Sequence, residues 1–160
     1  MKNAFLYKIP IFYMLIYALA IAFTGIWLFL LSNGLEADGI AATLLNFIEA
    51  PQSKSMYGVL EVATPHMVSI GMLIFLVAHF LLFSTTVSKR FSKKASIFLY
   101  LAALANICAY FFMAFGWVQG GWFKLLLMAV FVLLFVFVLA LVALSLFSNH
   151  SKVTSPSKLP

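Results

Sequence analysis

Two histidines stand inside one apolar run, His66 after Ala63-Thr64-Pro65 and His79 in Leu76-Val77-Ala78-His79-Phe80. Imidazole ligates haem iron and other metals, and haem sites in helical bundles are built from facing helices. Thirteen positions separate the pair, about 20 Å of rise on a straight helix and about 140° of rotation. The imidazoles therefore aim at different faces. A bis-histidine haem needs a second histidine from another helix, and the other apolar runs contain none. A symmetric dimer, a methionine such as Met113 or a partner protein would have to complete the site.

The elements that must position these residues are membrane helices. Of the 160 residues, 65% are hydrophobic and 9% charged, with mean hydropathy +1.12. A soluble domain carries about 25% charged residues, so this surface faces something other than water. Inside a bilayer only helices and closed barrels satisfy their own backbone groups. The apolar runs here are continuous rather than alternating, which excludes a barrel. Four spans are expected, at about 9–31, 64–85, 97–117 and 122–147, each near the length of about 20 residues that crosses the hydrocarbon. The fold class is all-α integral membrane, one domain over 1–148, with a disordered tail at 149–160. Lys2 and Lys8 precede the first run as in a secretory signal, but the run is too long and lacks a cleavage site, so it reads as a retained anchor.

Loop charges set the orientation. Lys2, Lys8, Lys89, Arg90, Lys93, Lys94, Lys152 and Lys158 fall on one side, and Lys54, Lys124 and all four acids on the other. Positive residues stay in the cytoplasm, which predicts N-in, C-in topology. This placement also removes nucleic acid as the reason for the +6 charge. The 32–63 loop is then external and holds a short interfacial helix, capped by Asp38, with Ile40, Leu44, Leu45 and Ile48 at helical spacing. Met56, Val59 and Leu60 form a lead-in turn, and Pro65 sits in the first turn of the second span, where proline is tolerated.

Within this frame His79 lies about 9 Å inside the cytoplasmic end of its span and Asn106 about 13 Å. An ionisable residue at that depth marks a function or a buried partner. Asn106 is the expected partner, a neutral hydrogen bond between helices being the bland alternative to a ligand role. Gly71, Ala78, Ala102 and Ala109 give the second and third spans small faces that would let them approach. His66 opens the second span at the interface, where water can satisfy one nitrogen, and His150 lies in the polar tail. Lys124, just inside the end of the fourth span, is expected to snorkel outward. Glu61 reads as a solvated loop charge and Cys108 as a small packing residue. The fourth span, nearly all Leu, Phe, Val and Ala, is expected to face lipid or a partner subunit. No CxxC, phosphate loop or HExxH is present, no span contains a carboxylate, and nothing points to catalysis.

The run from Lys54 through Leu60-Glu61-Val62-Ala63-Thr64-Pro65-His66 to His79-Phe80-Leu81-Leu82-Phe83 resembles a family of small four-span inner-membrane proteins of proteobacteria without an assigned activity. Glu61, His66 and His79 match its pattern, while Thr64 stands where such proteins often carry another histidine. The resemblance extends from the Gly34–Gly39 turn through the fourth span, and it implies a multi-pass protein of the bacterial inner membrane.

Two functions follow from these residues. One is a small redox component binding haem b or another metal through His79 and His66. The other is a non-enzymatic accessory subunit, as a homodimer or within a larger membrane complex.

Overall fold

The computed structural model describes residues 3–51, 55–84 and 86–148, without the side chains of 3–7 and 36–38. The tail expected to be disordered, His150 included, lies outside the described residues. Five helices follow in order: α1 (Asn3–Leu31), α2 (Leu35–Glu49), α3 (Met56–Leu82), α4 (Lys89–Ala114) and α5 (Trp122–Phe147). Among the described residues there is no strand. Four of the helices are long and apolar enough to cross a membrane, and α2 is a shorter apolar helix. The chain is a multi-pass membrane protein in contact with lipid.

The helix ends follow local chemistry. Ser55 and Ser88 cap α3 and α4, their hydroxyls accepting from the backbone N–H of Gly58 at 3.2 Å and of Phe91 at 3.3 Å. Each satisfies one of the N–H groups that a helix start leaves without a partner. With the Ser55 cap this early, Met56, Val59 and Leu60 are the opening turns of α3 and run continuously into the second span, as expected. Pro65 is therefore well inside a helix rather than in its first turn. It withholds the N–H that the Glu61 carbonyl would receive, a local break in the ladder. The α4–α5 connection reverses through Gly116 and Gly120, both at positive φ.

α2 is two pieces meeting at Gly39, which has non-helical φ 75° and ψ 173°. It docks on the bundle through residues other than those expected to lie at the membrane interface. Thr43 and Phe47 are buried, whereas Ile40, Leu45 and Ile48 are exposed. The Phe47 ring meets Phe29 edge-on at 5.1 Å. Its docking depends on Gly121, whose N–H donates to the Ile48 carbonyl at 3.0 Å. A Cβ at Gly121 would fall within 2.5 Å of the Phe47 ring, so only glycine allows this approach.

α3 packs along α4 and α4 along α5, while α1 meets the bundle through α5 and α2. α5 touches each of the other four helices. Phe135, Val138, Leu139, Val142 and Leu146 form its buried face, while Leu126, Leu133, Phe137 and Leu144 are exposed, as expected of a helix that faces lipid or a partner subunit. A helix apolar all round suits burial in a core as well as a membrane surface. The small-residue face between α3 and α4 is partly as expected. Ala78 and Ala109 are buried, as is Ala103, but Ala102 is only half-buried and a Cβ at Gly71 would meet nothing within 4 Å. Gly71 is not at a close approach.

Two apolar clusters form. The larger joins Leu15, Ala18, Ile74, Leu81, Leu99 and the buried face of α5, and the smaller joins Phe29, Leu30 and Phe47 under α2. Buried hydroxyls bond back to their own helices, as Ser96 does to the Ser92 carbonyl at 2.9 Å. Among the described residues no buried side-chain polar atom lacks a partner.

Candidate functional site

Between the two clusters lies a cavity of about 410 Å³, walled by α1 and α3 and floored by α4 and α5. Its lining is mostly apolar, with Ile26, Phe29, Ile70, Leu73, Met128 and Phe135 prominent. Ligand pockets are commonly about 300–1,000 Å³, apolar, with a few convergent polar groups. Here those groups are Thr24, His66, Ser69, Asn106, Tyr110 and Lys124. Thr24, Gly25 and Leu28 on α1, and Pro65, His66 and Ser69 on α3, are exposed as well as lining the cavity. They mark its mouth on the side of the bundle, where the two helices part.

Lys124 is the polar centre. It is the third residue of α5, yet only 4% exposed. Its Nζ donates to the Asn106 Oδ1 at 2.6 Å and to the Asn106 carbonyl at 2.7 Å, and it sits 4.1 Å from the centre of the Tyr110 ring. Asn106 lies eight residues before the end of α4, about 12 Å of helical rise. The side chain therefore runs inward along the bundle. The outward snorkelling expected of Lys124 is corrected: two carbonyl oxygens and an aromatic face replace the water it would have reached.

This arrangement takes Asn106 from its expected partner. Among the described residues no hydrogen bond joins it to His79, because it is buried against α5 while His79 is exposed on the outer face of α3. The rings nearest His79 are Phe75, Phe80 and Phe83, the last at 4.7 Å. His79 is also only three residues from the end of α3, about 4.5 Å, so it is shallower than the sequence suggests.

His66 lies at the mouth, its Nδ1 2.8 Å from the Val62 carbonyl. A carbonyl only accepts, so Nδ1 carries a proton and donates. Ser69 donates similarly to the Pro65 carbonyl and Thr24 to the Ala20 carbonyl. The two histidines are not brought together, and among the described residues no group of three or more His, Cys, Asp or Glu could hold a metal. The residue that sequence reasoning undervalued is Lys124. The available signal was an ammonium within an apolar span beside a helix carrying a carboxamide.

A family model described as a transmembrane helical domain, Aq_1264_TM, matches residues 33–153, and the chain belongs to that family. The match takes in α2 to α5, whereas α1, one wall of the cavity, precedes it. No curated protein and no solved structure matches the chain.

Proposed function

We propose that this family member is a small inner-membrane protein, with both termini in the cytoplasm, that binds an apolar molecule bearing a polar end in the cavity between α1 and α3. The observation that supports it most is the size of the cavity combined with its lining, about 410 Å³ of apolar wall around Lys124 and Asn106. A recess of this size with a few convergent polar groups has the usual dimensions and lining of a ligand pocket. The side mouth suits a molecule dissolved in the membrane.

The test is photolabelling in vesicles with a diazirine-bearing hexadecanol, followed by mapping of the labelled peptides. Label should concentrate on the cavity segments of α1, α3 and α5, and Gly25→Phe should abolish it. A Cβ at Gly25 meets nothing within 4 Å, so the larger side chain can enter the space without first disturbing a neighbour. Label spread evenly over the exposed faces of α1 and α3, unaffected by Gly25→Phe, would reject the cavity as a binding site.

A second reading, a redox component holding haem b or another metal, draws support from His66. Metal-bound histidines usually donate their other N–H to a carbonyl or carboxylate, as His66 does to Val62. The remaining ligands would come from a second copy or a larger complex, with His79 turned toward such a partner. A Soret band in the purified protein, lost in His66→Ala, would favour this reading. A colourless protein that also fails to photolabel would favour the accessory-subunit role.

A further inference from the structure

We infer that the ligand of this cavity is an anionic single-chain amphiphile of the fatty-acid class, its carboxylate held by Lys124 and its chain lying in the apolar space toward Phe135. The inference rests on the ligand-binding reading of the cavity and adds the charge and class of the occupant. Lys124 is nearly fully buried, and both groups that accept its protons are the neutral oxygens of Asn106. Among the described residues no carboxylate pairs with it. A charge taken out of water without an opposite charge is costly, and dipoles offset only part of that cost. Lys124 lines the cavity, so a carboxylate there would supply the missing opposite charge, taking the place of the Tyr110 ring face beside the ammonium.

Geometry narrows the class. The ammonium lies inside the bundle beside Asn106, about 12 Å from the end of α4. A carboxylate on one chain is small enough to follow it there, whereas a phospholipid would have to drag its whole headgroup below the interface. The rim hydroxyls of Thr24 and Ser69 already bond to their own helices, so they offer polar passage without a competing charge. An alcohol oxygen that accepts from the ammonium already makes a charge-assisted hydrogen bond, and a carboxylate adds the opposite charge to it. That is the margin by which an acid should exceed an alcohol of the same length.

The experiment compares three photoreactive probes in vesicles: diazirine-bearing palmitate, diazirine-bearing hexadecanol and a diazirine-bearing phosphatidylglycerol. Each is applied to the wild type, Lys124→Met, Lys124→Arg and Gly25→Phe, with unmodified palmitate as competitor. Palmitate should label the cavity peptides about tenfold more efficiently than hexadecanol in the wild type. Lys124→Met, checked as folded by circular dichroism and gel filtration, should reduce that ratio to about one, and Lys124→Arg should retain the preference. Equal labelling by acid and alcohol in the wild type, both blocked by Gly25→Phe, would overturn the charge assignment and leave the cavity reading standing. Absence of cavity labelling by every probe would overturn both. Preferential labelling by phosphatidylglycerol would make the ligand a lipid headgroup and overturn the single-chain assignment.

Discussion

Lys124 turns away from the nearby end of α5 and places its Nζ between the two oxygens of Asn106, at 2.6 Å from Oδ1 and 2.7 Å from the carbonyl. This contact fastens the start of α5 to the middle of α4, and the stability of the bundle should depend on it. Hydrogen bonds to charged groups contribute about 1.5–3 kcal/mol. Asn106→Ala is expected to destabilise the protein by that amount, and Lys124→Met by less, since methionine fills the space without the charge. The double variant should lose less than the sum of the two, a coupling readable from detergent unfolding of all four proteins. Strict additivity would mean that the contact contributes nothing.

Gly121→Ala should displace α2. The new methyl group would fall on the Phe47 ring and carbonyl, and overpacking of this kind costs typically about 1–3 kcal/mol. The expected outcome is a lower melting temperature together with faster proteolysis of residues 39–51. Unchanged proteolysis would show that α2 does not need this approach.

Gly71→Leu should be nearly silent, within about 0.5 kcal/mol, because open space surrounds the position. Ala109→Leu should be severe, since Ala109 is wholly buried in the bundle. Melting both variants beside the wild type checks the pair, and equal tolerance would contradict the α3–α4 packing.

His79→Ala should leave detergent stability within about 0.5 kcal/mol of the wild type, as surface substitutions do. The imidazole is exposed and close to the helix end, so removing it strands no buried group. A large loss in detergent would place a structural partner on this residue. A loss confined to the membrane would point to a second chain at that face.

A reporter inserted in the 86–88 connection or after Pro160 should behave as cytoplasmic, and one inserted at Pro51 as external. The basic residues Lys89, Arg90, Lys93 and Lys94 beside the first of these sites carry the expectation. Finding the Pro51 and 86–88 sites on the same side of the membrane would refute four crossings.

The four crossing helices were legible in the sequence, because each apolar segment must satisfy its own backbone in lipid and so declares itself locally. The short apolar helix between the first two was legible for the same reason. Its packing face was not, since Phe47 is buried by what it meets, Phe29 and Gly121, and neither lies in its own segment. Periodicity also could not say which side of α5 is buried, because a helix that is apolar all round has no face to read. Depth alone brought Asn106 and His79 together, but level says nothing about azimuth, and α3 turns His79 outward while α4 turns Asn106 toward α5. The direction of Lys124 was the most misleading local signal. Side chains lean toward the N-terminus of their helix, which for Lys124 is the near end and the water. Only the tertiary structure, by setting two oxygens and a tyrosine ring on the neighbouring helix within reach, decided that this ammonium should point into the protein.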